Sequence, residues 1–515
     1  MHHHFFRRAV RLATALVLSA WFVVLAQSEI TVAMGVQSFE GLDPHMQASP
    51  PTNAVVLALY DTLVYADSTN QIHPMLATSW ESLDDLTWVF HLRADVKFHD
   101  GTAFDSGAVV STFARVLDPD NALTRRTEFE MIKDVVALDD YTVRFDLTHP
   151  SGILLNELAY AGAAMISPAA IEAYGKDLAL HPVGTGPFRL ADMVGGDYIQ
   201  LERFEGYWGG ASELAGIRFV PVSDDATRAL MLQTGEADII ANVPASLIPM
   251  LQAVPGISVL TSDTTRVIHI GLNVQHAPLD NQQVRQALNF AVDRDAIVAT
   301  VLQGLGSPTS SYISPSTWGY SNDGAYTYDP ARARTLLTEA GFQNGFEVSL
   351  WVPSGRYFAG QQLAEAVQGY LADVGVTAKI ESVEWGAFID RILTPLDGGN
   401  NTEMYLLGWE AATGEPSVVS KWALASDMWP PAGWNTGFYS NAEFDRLVEE
   451  GSVTTDAEER AEIFRRTQEI VSSDAPWIFL YAAKSVWGVR ESLTGIGVLS
   501  DETLILRNAG IDSAR

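Results

Sequence analysis

Cysteine is absent from the chain, which removes thiolate metal sites, iron–sulfur clusters, disulfides and a thiol nucleophile together. Cations are scarce as well: 32 Lys and Arg, only six of them Lys, stand against 63 Asp and Glu, a formal net charge of −31. A nucleic-acid partner needs basic stripes to neutralise phosphates; none occurs here, so nucleic acid is excluded. Catalytic signatures are missing too. There is no HExxH pair, no GxSxG elbow and no Walker A loop, since Gly175-Lys176 is followed by Asp177 rather than Ser or Thr. Fixed-period repeats and low-complexity tracts are also lacking.

What is present is a large globular composition: 515 residues, 47% hydrophobic, 10% aromatic and 18% charged. That length implies two or three domains, with ample apolar material for several cores. At the N-terminus, Arg7, Arg8 and Arg11 precede an apolar run from Leu12 to Ala26, and Val24-Leu25-Ala26 offers residues suited to a cleavage site. This reads as a cleaved secretory signal over residues 1–26. His2, His3 and His4 leave with it and mark no metal site. The run is shorter than the ~20 apolar residues of a membrane span, and no Cys follows to take a lipid. A freely soluble protein retained in a Gram-negative-type periplasm is expected.

Beyond the signal, strand-like runs such as Thr142–Leu147 alternate with helical patterns, which indicates α/β architecture. One helix is predicted from Asn281 to Leu302, with Val284, Leu288, Ala291 and Val292 on one face. A second starts at Asp329-Pro330 and ends at Gly341; a third runs from Gln361 to Val374. Thr87–Leu92 alternates as a half-buried strand, which Asp100-Gly101 closes with hairpin chemistry. Gly184, Gly186 and Pro187 point to a tight turn. Paired acids at Asp84-Asp85, Asp139-Asp140, Asp224-Asp225 and Glu449-Glu450 read as solvated turns or helix faces, and the histidines are scattered singly. The pattern favours binding over catalysis.

The stretch TWVFHLRADVKFHDGTAFDS, Thr87 to Ser106, resembles the signature of the family-5 extracellular solute-binding proteins, which carry oligopeptides, dipeptides and nickel to ATP-driven importers. The likeness continues through LDPHM (Leu42–Met46), PVGTGPF (Pro182–Phe188), FEGYWGG (Phe204–Gly210), RALMLQTGEAD (Arg228–Asp238), PLDNQQVRQALNFAVDRDAI (Pro278–Ile297), YDPARARTLLTEAGF (Tyr328–Phe342) and APWIFLY (Ala475–Tyr481). The resemblance implies the two-lobed periplasmic binding protein fold: three α/β regions, hinge-connected, with a ligand cleft between the lobes. The first lobe would combine a core of 27–50, 185–268 and 485–515 with an accessory region, 51–184; the second lobe would be 269–484. It also implies no enzymatic activity, no cofactor and no metal, a monomer, and delivery to the permease subunits of an ABC importer.

Peptide-binding relatives pair the ligand's ammonium with an Asp in a loop Gly-Trp-x-x-Asp; here Ala412 stands at that position. The loop GWEAATGEPS, Gly408–Ser417, is similar instead to the glutathione-binding branch. Glutathione or a similar short peptide is therefore the expected ligand, with a dipeptide, oligopeptide, nickel complex or glycan as the alternative, and an exported hydrolase as a remote one. Such a ligand presents carboxylates that suit Arg forks and an ammonium that suits an acid. Arg356 and Arg266 are the candidate carboxylate clamps, Glu410 or Glu415 the candidate ammonium partner. Phe39, Tyr357, Trp385 and Trp409 are candidate apolar walls, and Ser38, Thr413, Gly414 and Asn435 candidate small polar contacts.

Overall fold

A computed structural model describes residues 29–47, 49–324 and 326–512. The signal expected over residues 1–26 lies outside them. Two long antiparallel strands, Ile257–Leu272 and Trp477–Arg490, form the spine of an eleven-stranded mixed sheet. On one side of the spine the sheet continues through Met404–Trp409, Phe346–Pro353 and Val376–Val383. On the other it runs through Ile239–Ile240, Glu29–Met34, Gly216–Pro221, Tyr198–Arg203 and Phe188–Val194, and Gly306–Pro308 pairs with Trp477–Arg490 off this path.

The burial of the spine changes along its length. Val267–Leu272 is buried on both faces, whereas Leu260, Thr261 and Asp263 are exposed. Between these halves the pairing register with Trp477–Arg490 shifts, between Asp263 and Val267 and again between Ile268 and His269. The irregularity re-aims the intervening side chains, and Arg266 is one of them. Each half of the spine belongs to a different core. Ile268, Ile270 and Leu272 pack with helices Gln282–Ala291 and Gly360–Asp373, while Trp487 and Val489 pack with Val32, Phe219 and the segment Leu504–Ala509. A third core lies under a separate four-stranded sheet, ordered Ala77–Asp84, Thr87–Leu92, Thr142–Leu147, Ile132–Asp139, with helix Ser106–Leu117 against it.

The local signals act where they were read, with informative exceptions. Thr87–Leu92 and Thr142–Leu147 are strands over those bounds. Asp329 caps helix Pro330–Glu339 by accepting from the Arg332 N–H at 2.8 Å. The helix predicted over 281–302 is two helices, Gln282–Ala291 and Arg294–Thr300, because Val292 is extended and Asp293 caps a fresh start by accepting from the Ala296 N–H. Asp100-Gly101 does not close strand Thr87–Leu92; it turns the chain between Lys97 and Ala103 further on. Gly184 and Gly186 are required by close approach rather than by a special turn. A Cβ at Gly184 would lie 2.3 Å from the Leu59 carbonyl oxygen, and one at Gly186 2.6 Å from the Leu59 carbonyl carbon.

Among the described residues no helix is long and apolar enough to cross a membrane.

Candidate functional site

The register shift in the spine opens a cavity of about 550 Å³ beside it. Its floor is Arg266, Ile268, Tyr481 and Ala483; its walls are the loop Gly355–Ala359, Asn242–Pro244 and Glu502. The loop exists because strand Phe346–Pro353 ends in proline and helix Gly360–Asp373 starts at a glycine after Ala359, which adopts the left-handed conformation.

Tyr357 fixes this loop to the sheet. Its Oη accepts a 2.9 Å hydrogen bond from the Gly408 N–H. Only glycine fits at 408, since a Cβ there would meet Ile268 Cδ1 at 2.7 Å and Tyr357 Cε1 at 3.1 Å. Arg356, next to Tyr357, is exposed and has no ion pair or hydrogen bond with the described residues. Its guanidinium sits 4.7 Å from the centroid of the Trp385 ring and 5.9 Å from that of Tyr357. Stacking on aromatic faces holds a guanidinium in place while its N–H fork stays available.

Arg266 is used differently. It pairs with Glu410 through Nη2 and with Glu502 through Nε, the latter at 3.0 Å. Two acids thus share one guanidinium, and a third, Asp501, lies close enough to act on Glu410 while its own carboxylate accepts from the Thr503 N–H and hydroxyl. Burial pushes the Glu410 carboxyl up to about 8, with Arg266 opposing the shift and Glu502 and Asp501 adding to it. Burial likewise pushes Asp501 up to about 6. Glu502 faces the large cavity, whereas Asp501 lines a smaller space of about 30 Å³ with Asn70, Asn156, Tyr160 and Thr413. The acid cluster is thus the wall between the two spaces.

The conserved-domain profile of the bacterial extracellular solute-binding proteins, family 5 Middle, matches residues 71–430. The chain belongs to this family. The glutathione-binding protein GsiB of Escherichia coli K12 is 35% identical over 505 residues, 98% of each chain. HbpA2 of Haemophilus parasuis superposes with a TM-score of 0.83 at 25% identity, covering 94% of this chain and 99% of its own. The periplasmic binding protein DppA of Helicobacter pylori, solved with the peptide STSA, gives a TM-score of 0.76 at 28% identity, covering 94% of this chain and 98% of its own. The α/β periplasmic binding protein fold follows from these likenesses.

In this family-5 protein, Arg266, Arg356 and Tyr357 meet at the large cavity, with Trp385 beneath Arg356 and Glu410 bound to Arg266. Trp385 opens helix Trp385–Ile392 instead of lying in a strand, and it stacks on Phe388 at 5.6 Å. Trp409 ends strand Met404–Trp409, edge-on to Trp434 at 6.2 Å. Thr413 faces the smaller space, its Oγ1 buried without a hydrogen-bond partner. Gly414, at φ +74°, packs so closely on Asn70 that a Cβ would lie 2.4 Å from its Cγ.

Other expectations need correction. Glu415 is not free for a ligand ammonium: it is buried in an ion pair with Arg460, the side chains only 4% and 5% exposed. Asn435 is buried, and its amide is consumed by the carbonyls of Leu424, Ala425 and Tyr439 and by the Tyr439 N–H. Phe39 packs edge-on to Phe219 at 6.4 Å at the margin of a core, and Ser38 is exposed on the loop after strand Glu29–Met34. Neither lines a described cavity. Sequence reasoning missed Glu502 and Asp501, which reach the site from a segment more than 230 residues along the chain from Arg266 and carry no local signature.

Proposed function

We propose that this protein is exported to the periplasm, captures glutathione or a similar short peptide between its lobes, and delivers it unchanged to the permease of an ABC-type importer. It acts as a monomer and catalyses nothing. The observation that carries the reading is Arg356: a guanidinium with no ion pair among the described residues, held on an aromatic face at the rim of a cavity beside the spine. An unpaired cation in a chain with nearly two acids for every base is what a ligand carboxylate would use. The 35% identity to a glutathione-binding protein over almost the whole chain supports the same ligand class, as does the peptide-bound relative.

The lobes are taken as residues 27–50, 185–268 and 485–515 with accessory 51–184, against 269–484. The separation of apolar cores along the spine supports this division. The two spine strands would then be the hinge, and the loop Gly408–Ser417 would be the contact closure makes with the accessory region, present here as Asn156 donating to the Thr413 carbonyl and Gly414 packed on Asn70. In that arrangement Arg356 anchors a carboxylate, Tyr357 and Trp385 cover the ligand's apolar stem, and Arg266 organises the acids of the dividing wall.

A thermal-shift screen with reduced and oxidised glutathione, dipeptides, nickel complexes and cello-oligosaccharides tests the reading. A ligand at 100 times its Kd adds about 2.7 kcal/mol of stability. Stabilisation by glutathione or peptides is expected; stabilisation by glycans or nickel complexes alone would overturn the ligand class.

A further inference from the structure

Away from the large cavity, a second group of charges lies where the accessory region meets the opposite side of the molecule. Helix Leu154–Ala159 docks there: Asn156 Nδ2 donates to the Thr413 carbonyl at 3.3 Å, and the Gly152 N–H donates to the Ser452 carbonyl at 3.0 Å. Glu157 of this helix is 5% exposed. Its carboxyl makes no hydrogen bond or ion pair with any described residue. The charged groups that face it are themselves paired. Arg125 pairs with Glu128 at 2.6 Å and lies over the Tyr160 ring, and across the junction Arg460 pairs with Glu415. Glu128, Arg125 and Glu415 are the charged groups that face Glu157. With two guanidiniums for three carboxyls, the junction is one positive charge short.

The surrounding atoms show the same deficit of partners. Arg125 Nη2, Glu128 Oε2, Thr413 Oγ1 and Ser417 Oγ are all buried without a hydrogen-bond partner. Buried polar atoms left open in this way are destabilising unless something fills the site. They come from both sides of the junction.

We propose that Glu157 is the acceptor for the ligand's primary ammonium group, with Thr413 and Ser417 as flanking hydroxyls. The assignment rests on the peptide-ligand reading above and adds the cationic subsite that Glu410 and Glu415, each paired with an Arg, do not supply. Before a ligand arrives, the deficit is met by a proton on Glu157: burial, with Glu128 and Glu415 adding and Arg125 opposing, holds its carboxyl up at about 8. Arrival of the ammonium replaces that proton, which passes to solvent while the carboxylate and ammonium form a charge-assisted hydrogen bond. No covalent bond changes.

Calorimetry of glutathione binding at pH 7 in buffers of different ionisation enthalpy measures the proton directly. The wild type is expected to release roughly 0.9 proton per ligand, following from linkage at a pKa of about 8, and N-acetylated glutathione, which lacks the ammonium, is expected to release none. Glu157→Gln, close to isosteric, is expected to abolish the release and to weaken glutathione roughly 10- to 150-fold, the loss of one charged hydrogen bond. Binding of the N-acetylated ligand should stay within about threefold. Absence of proton release in the wild type, or full release and undiminished discrimination between the two ligands in Glu157→Gln, would overturn the assignment while peptide binding stood. A wild type that binds neither glutathione nor dipeptides would overturn the ligand reading and this subsite with it.

Discussion

Replacing Arg460 by Met tests whether Glu415 is structural rather than ligand-facing. The two side chains are 5% and 4% exposed, and Arg460 also donates from Nε to the Gly451 carbonyl at 2.9 Å and lies 4.8 Å from the Trp318 ring. Methionine keeps much of the apolar stem but leaves the Glu415 carboxylate buried without a counter-charge. Breaking one side of a buried pair costs about 3–5 kcal/mol, whereas replacing both partners by apolar residues is often close to neutral. Glu415→Gln strands Arg460 instead, but the Gly451 bond and the Trp318 face remain, so its cost belongs at the lower end, about 3 kcal/mol. The double variant Glu415→Leu/Arg460→Met should therefore be less destabilised than Arg460→Met alone, a coupling that only direct partners show. Urea unfolding followed by tryptophan fluorescence, with 13 Trp in the chain, reports the midpoints. Costs below about 1 kcal/mol for both single variants, or a Glu415→Gln variant that keeps its stability but loses preference for a free ligand ammonium, would refute the argument and return Glu415 to the ligand site.

Three further outcomes follow from the same geometry. Gly414→Ala should destabilise by at least about 1 kcal/mol, since it combines a left-handed backbone with a collision at Asn70. It should also weaken ligand binding, because Asn70 bonds to Ser316 and Ser500 across the smaller space; an unchanged melting temperature would contradict this. The ligand-free protein should lose stability as pH rises from 6 to about 8. Glu410 and Glu157 hold protons more tightly folded than unfolded, so their contribution is full below the unfolded carboxyl value and drains away as pH rises to their folded value of about 8, Asp501 having lost most of its share by its own folded value of about 6. Differential scanning calorimetry showing a flat or rising melting temperature would contradict the raised carboxyls. Mature protein from the periplasm should begin at or within a few residues of Gln27; retention of residues 1–26 by intact mass would refute export by cleavage.

Local chemistry was legible in the sequence, and long-range pairing was not. Asp329-Pro330 announces a helix because capping involves residues three apart, and the alternation of Thr142–Leu147 reports burial on one face. The break at Val292-Asp293 was readable in principle, since Asp is a strong cap, yet the apolar period carried on through it. Arg356 was singled out because a strand–loop–helix boundary is visible and a guanidinium suits a carboxylate, and the structure puts it on the lining of the large cavity. Glu415 and Asn435 were misplaced for a common reason: both stand in polar loop sequence, but each is buried by contacts invisible locally, Arg460 being 45 residues from Glu415. The acid wall is the extreme case, since Glu502 joins Arg266 from a separation of 236 residues. Glu157 carries no local signal; only the packing of its segment on Thr413 and Ser452 shows that it is buried and unmatched.

The central claim is that a short peptide is held by its carboxylate at Arg356 and left chemically intact. Titration calorimetry of wild type and Arg356→Ala with glutathione, and with glutathione amidated at the contacted carboxylate, tests it most directly. Arg356 is exposed and unpaired, so the variant should fold with a stability change within about 0.5 kcal/mol. One-to-one binding is expected for the wild type, with a Kd roughly 10- to 150-fold higher in Arg356→Ala for the loss of a charged hydrogen bond. The amidated ligand should bind the wild type more weakly and be nearly indifferent to the substitution, and glutathione recovered afterwards should be unchanged. Equal affinity of the two proteins for native glutathione, or release of free amino acids in proportion to protein and time, would contradict the account.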